Sequence, residues 1–164
     1  MSTADREIVV RMGEFALARE GEVLAAFGLG SCVAVVLSDP VARVGALAHI
    51  LLPSQALSRR RDHPARSPDT ALPLVLARLA AAHTERPRLH ARLVGGAAMF
   101  ADLLPADTVH MGERNVEACR TALRDAGIPI LREAVGGRRG RSIWFTPRTD
   151  VVTVRLVGGE LETL

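Results

Sequence analysis

At 164 residues the chain is long enough for one domain with a sizeable core and too short for two ordinary ones. Its composition, 48% hydrophobic and 24% charged with no low-complexity tract, is that of a globular protein and excludes a largely disordered one. All 21 basic residues are arginine, and against 18 acids they leave a net charge of only +3; with aromatics at 3% and no tyrosine, the chain has neither the charge excess nor the stacking surface of a nucleic-acid binder.

The N-terminal MSTADREIVV carries acids and lacks the apolar stretch of a signal peptide, and glycine, proline or charge interrupts every segment of membrane-spanning length. A cytoplasmic location is therefore expected, where a reducing environment argues against a bridge between Cys32 and Cys119. Residues 8–13 (IVVRMG) and 22–27 (EVLAAF) have the makeup of short strands. After a glycine-rich turn, CVAVVLS (32–38) is apolar at successive positions, as in a strand covered on both faces. DPVAR forms a turn, and VGALAHILLP (44–53) a second apolar strand ended by Pro53, so the two read as a hairpin.

Residues 54–70 change character: they are polar and arginine-rich, with two prolines and no periodicity, which marks a long surface loop of a kind that is often functional. Alanine and leucine dominate from about Thr70 to Ala82 and predict a helix, in which Pro73 is tolerable only within the first turn. LHARLVGGAAMF reads as a strand, a Gly95-Gly96 turn and a short helical piece. The next segment, from Gly112, places Val116, Cys119, Leu123 and Ala126 on one stripe at helical spacing, with Gly127 as its C-terminal cap. IPILREAV predicts a strand, and RSIWFT and VVTVRLV around PRTD a C-terminal hairpin.

The two cysteines differ in setting. Cys119 lies on the apolar face of an amphipathic helix, where a small buried thiol is expected. Cys32 follows Gly28 and Gly30, which permit positive φ and remove side-chain cover, so that the N–H groups around Gly30 and Ser31 can face a reacting carbonyl oxygen. The competing reading is a turn into a buried strand. If the hairpin turns symmetrically about the Pro40–Val41 bond, Cys32 stands opposite His49, at a Cβ separation of roughly 4.5–5.5 Å that suits a thiol and an imidazole sharing a proton. A slip of one residue would send His49 to the other face, where it would be a core histidine bonded to a backbone carbonyl. His63, His83, His90 and His110 show no metal-ligand spacing. A cysteine and histidine pair performs nucleophilic acyl transfer on an amide, ester or peptide bond.

The residues that carry this chemistry resemble those of the CheD family, the chemoreceptor glutamine deamidases of bacterial chemotaxis. The matching pieces are GLGSCVAV (28–35), DPVARVGALAHILLP (39–53), DTAL (69–72), VGGAAMF (94–100), GERNVEACRTALRDAGIPIL (112–131) and GGRRGRSIWF (136–145), in family order across most of the chain. The resemblance implies a single domain over 1–164 with an α/β (α+β) sandwich fold, of mixed, largely antiparallel sheets with helices packed on one side, similar to the catalytic domain of the cytotoxic necrotizing factor toxins. It implies hydrolysis of receptor glutamines to glutamate, and in some members of glutamyl methyl esters, without a metal or organic cofactor. Cys32 falls at the family's nucleophile and His49 at its general base. Ala26 stands where the family commonly has a threonine as third member of a triad; with no side-chain acceptor there, a backbone carbonyl near Ala26 is expected to orient the imidazole.

The resemblance names chemoreceptor cytoplasmic helices as substrate and, in some bacteria, a CheC-type phosphatase as a partner. Arg59, Arg60 and Arg61 on the long loop either dock an acidic receptor helix through surface charge or belong to a solvated loop with no partner. A second reading is a CheD-like adaptor of weak or no activity that binds receptor or phosphatase; a third is a peptidase or small-molecule amidase.

Overall fold

The computed structural model describes residues 4–164, which form two five-stranded sheets and two long helices. The strands are β1 (Arg6–Val9), β2 (Phe15–Arg19), β3 (Glu22–Leu29), β4 (Val33–Asp39), β5 (Val44–Ile50), β6 (His90–Gly95), β7 (Ile130–Val135), β8 (Arg141–Thr146), β9 (Val151–Leu156) and β10 (Leu161–Thr163). The helices are α1 (Pro68–Ala81) and α2 (Met111–Asp125). One sheet has the order β1-β3-β8-β9-β10 and the other β2-β5-β4-β6-β7. Both are mixed, since β1 runs parallel to β3 and β6 parallel to β7 while the remaining pairs are antiparallel.

The sheets stack face to face and both helices lie on the outer face of the β2-β5-β4-β6-β7 sheet. That sheet is covered on both sides, which explains why every residue of β4 and β5 is buried and why their sequences run apolar without alternation. One core, with Val33, Val35, Leu37, Leu79, Leu93 and Leu123, fills the space beneath the helices. The other, with Leu24, Leu29, Ala34, Val36, Leu47 and Phe145, fills the space between the sheets. At one end the sheets are clasped by Arg92 of β6, whose guanidinium donates to the Asp150 carboxylate at 3.0 and 3.1 Å and to its carbonyl at 2.9 Å.

Three details depart from the sequence reading. β2 and β10 are additional strands, both short, with polar residues at their ends. Helix α1 begins at Pro68, so Pro73 sits beyond the first turn, inside the helix. The segment before it is shorter and more ordered than a 54–70 loop: Gln55–Leu57, capped by Ser54, and Pro64–Arg66 form two 3-10 turns, and Ala65 and Ser67 are buried. Among the described residues no helix is long and apolar enough to cross a membrane.

Candidate active site

Cys32 lies in the short link between β3 and β4, and its backbone is strapped down from the neighbouring strand end. Gly96 N–H donates to the Cys32 carbonyl and Ala97 N–H to the Gly30 carbonyl, each at 2.8 Å. Gly95, at φ 118°, lies so close to the Cys32 carbonyl that a β-carbon would collide with it, and at Gly30 a β-carbon would sit 3.2 Å from Met99 Sδ. Glycine at both positions therefore lets the chain approach closely on each side of the cysteine. The carbonyl of Ser31 is taken by Asn115 Nδ2 at 2.9 Å. The N–H groups of Ser31 and Cys32 have no backbone acceptor among the described residues. Cys32 is 9% exposed; burial pushes its thiol above the ordinary value, with its own N–H acting in the opposite direction.

The hairpin register differs from the symmetric arrangement about Pro40–Val41. The turn holds four residues, Pro40 to Arg43, so Asp39 faces Val44 and His49 faces Ala34 rather than Cys32. The shift is two residues, which preserves the face: Cys32 and His49 both project between the sheets, on a diagonal instead of directly opposed. No hydrogen bond reaches His49 Nε2 from any described residue, Cys32 included. In sites without substrate such contacts are often long and tighten when the complex forms.

The other ring nitrogen is held. His49 Nδ1 is 3.1 Å from the carbonyl of Val10, which follows β1 in the opposite sheet. Val10 is itself fixed by donating its N–H to the Ala25 carbonyl at 2.8 Å. The acceptor thus comes from the chain beside Ala25 and Ala26, while the Ala26 side chain is a fully buried methyl in the inter-sheet core. A carbonyl only accepts, so Nδ1 carries the proton, and a neutral ring then presents a lone pair at Nε2. Burial of His49, which is 3% exposed, lowers its pKa below the ordinary value and favours that neutral form, against the Val10 bond and the charge of Glu14. Main-chain bonds fix the residue further: His49 N–H donates to Glu14 and its carbonyl accepts from Gly13.

Cys119 has no such surroundings. It is fully buried on α2, and burial alone pushes its thiol up to about 12, an inert state. Two contributors to the site were absent from the sequence reading. Val10 acts through a main-chain atom, for which side-chain identity gives no signal. Asn115 did leave one: it is an amide on the buried stripe of α2 with Gly112, Val116, Cys119 and Leu123.

The chain matches a family model described as CheD chemotactic sensory transduction over residues 51–156. It is 42% identical over 151 residues to a Halalkalibacterium halodurans protein named chemoreceptor glutamine deamidase CheD, covering 92% of this chain and 93% of that one. A Desulforamulus reducens protein named probable chemoreceptor glutamine deamidase CheD is 37% identical over 164 residues, covering 100% and 99%, a span that includes residues 32 and 49. Among solved structures, a Neisseria meningitidis protein assigned to DUF152 aligns with TM-score 0.47 and 12% identity over 79% of this chain and 64% of its own.

Proposed function

The chain belongs to the CheD family, and from that premise we propose that it hydrolyses selected glutamine side chains of methyl-accepting chemoreceptors to glutamate and ammonia, with Cys32 as nucleophile and His49 as general base. The observation that carries this reading is the His49 ring: Nδ1 donates to the Val10 carbonyl, and Nε2, on the face it shares with Cys32, has no partner among the described residues. Nε2 takes the thiol proton, and Sγ attacks the glutamine amide carbon. The oxyanion so formed is held by the Cys32 N–H, with those of Gly30 and Ser31 beside it. The imidazolium then protonates the departing nitrogen, the carbon–nitrogen bond breaks, and ammonia leaves a thioester on Cys32. His49 next deprotonates a water that attacks the thioester, and return of that proton to sulfur releases glutamate and restores the thiol. Each step draws on the chain's own groups and calls for no metal or organic cofactor. Family membership also supports the finer fold reading, a likeness to the cytotoxic necrotizing factor catalytic domain.

A second reading, an adaptor that binds a receptor or a CheC-type phosphatase without turnover, is favoured by one feature, the missing hydroxyl at Ala26. Incubation with chemoreceptor cytoplasmic fragments, followed by peptide mass spectrometry, separates the two. The deamidase reading expects specific glutamines to become glutamates, each about 1 Da heavier, with wild type and not with Cys32→Ala. Binding without conversion by wild type would establish the adaptor, and conversion that survives Cys32→Ala would exclude the thiol mechanism.

A further inference from the structure

Asn115 is wholly buried on the second turn of α2, and its amide nitrogen uses both hydrogens: it donates to the Ser31 carbonyl at 2.9 Å and to the Leu51 carbonyl at 3.1 Å. Its Oδ1 is buried with no partner among the described residues. Exchanging oxygen and nitrogen would set Oδ1 against two carbonyls, so the orientation is fixed by its partners. An amide oxygen left unpaired in the interior costs roughly 1–3 kcal/mol. A leucine of similar size would avoid that cost, so packing alone does not account for the asparagine.

The two carbonyls belong to the two halves of the proposed site. Ser31 directly precedes Cys32, and Leu51 follows His49 by two residues. The peptide unit is planar and trans, so the Ser31 carbonyl and the Cys32 N–H point in opposite directions from one rigid plate. Holding the carbonyl toward α2 therefore turns the Cys32 N–H away from the helix. Close packing sets the helix itself: a β-carbon at Gly112 would strike the Gly96 carbonyl, and one at Gly96 would strike Val116.

Resting on the deamidase reading above, we propose that Asn115 is a positioning residue that clamps the Ser31–Cys32 peptide to the end of the histidine strand and so aims the Cys32 N–H at the oxyanion. It touches no reacting atom. Loss of a direct oxyanion donor costs about 10²–10³ in kcat, and misdirecting one costs less, roughly 10- to 100-fold.

The test compares wild type, Asn115→Leu and Asn115→Ser in receptor-fragment deamidation, with near-UV circular dichroism as the check on folding and iodoacetamide alkylation of Cys32 as a second reaction. Alkylation displaces iodide without forming an oxyanion. The expected result is kcat lowered roughly 10- to 100-fold, KM within about threefold, and alkylation within about threefold, for each variant that folds. Should the leucine variant fail to fold, the serine variant, which is too short to bridge both carbonyls, carries the reading. Wild-type kcat in a folded variant would overturn the proposal, as would parallel loss of deamidation and alkylation, the mark of general loosening. An inactive wild type instead strikes the deamidase reading itself.

Discussion

His49 shows how one ring can be prepared by a neighbour that no side-chain motif records. With Nδ1 donating to the Val10 carbonyl, no hydroxyl at position 26 is needed to fix the tautomer. Ala26→Thr is therefore expected to leave kcat within about threefold of wild type. It adds two heavy atoms to a fully buried site and should lower stability by about 1–3 kcal/mol, read by urea denaturation. A gain in kcat of tenfold or more would show that the carbonyl orients the ring poorly. The pH profile follows from the same burial. Burial disfavours the imidazolium, so the acid limb of kcat/KM should have its midpoint below 6.5, and the thiol, raised by burial, should titrate above 9. The profile should be flat between these limits, and an acid midpoint at or above 6.5 would contradict a buried neutral base. From sequence Cys32 and His49 could be put forward as a pair, because a cysteine after a glycine-rich turn and a histidine on the facing strand suggest chemistry; Val10, a main-chain acceptor, left no such signal.

The β4–β5 hairpin decides how the two residues meet, and its turn is set by Asp39. Oδ1 accepts the Val41 and Ala42 N–H groups at 3.0 Å, which fixes a four-residue turn and hence the register. From sequence the strands, the turn and the shared face could be read, because period-two geometry survives a two-residue shift. The turn's centre could not, since it depends on which N–H groups the aspartate captures. Asp39 is fully buried and also binds the Arg88 guanidinium and the Glu85 N–H. Burial alone would raise its pKa, yet Arg88 and the N–H groups of Ala42 and Glu85 outweigh burial and hold the carboxyl at about 2. The folded value lies below the unfolded one, so this stabilisation is complete above about pH 4 and is lost as pH falls toward 2. Asp39→Asn should lower stability at pH 7 by about 2 kcal/mol, less than the loss for a fully buried pair because Arg88 is partly exposed. Urea denaturation at pH 7 and again near pH 2 should show the deficit shrinking at the lower pH. An equal deficit at both would place the effect in the turn's hydrogen bonds rather than its charge.

Across the whole molecule, the base and the group that orients it come from different sheets: His49 from β5, and the Val10 carbonyl from the chain beyond β1. The resemblance to the CheD family implied a sandwich of mixed sheets with helices on one side, while the stacking of the two sheets that brings Val10 to His49 is a long-range consequence no local pattern encodes. The loop after β5 displays Arg59, Arg60 and Arg61 to solvent, with Arg60 paired to Asp62 at 2.6 Å. If this loop docks an acidic receptor helix, Arg59→Glu combined with Arg61→Glu should raise KM several-fold with kcat unchanged, and flatten the dependence of KM on salt. An unaltered KM and salt response would remove the loop from recognition. The central claim, that a carbonyl from one sheet holds a neutral imidazole on the other with Nε2 free to take a proton, is tested most directly by the two-bond nitrogen–proton spectrum of the His49 ring in protein labelled with nitrogen-15 at histidine. The account predicts, at pH 7, a protonated Nδ1 and an unprotonated Nε2, with a titration midpoint below 6.5; an imidazolium at pH 7, or a proton resident on Nε2, would contradict it.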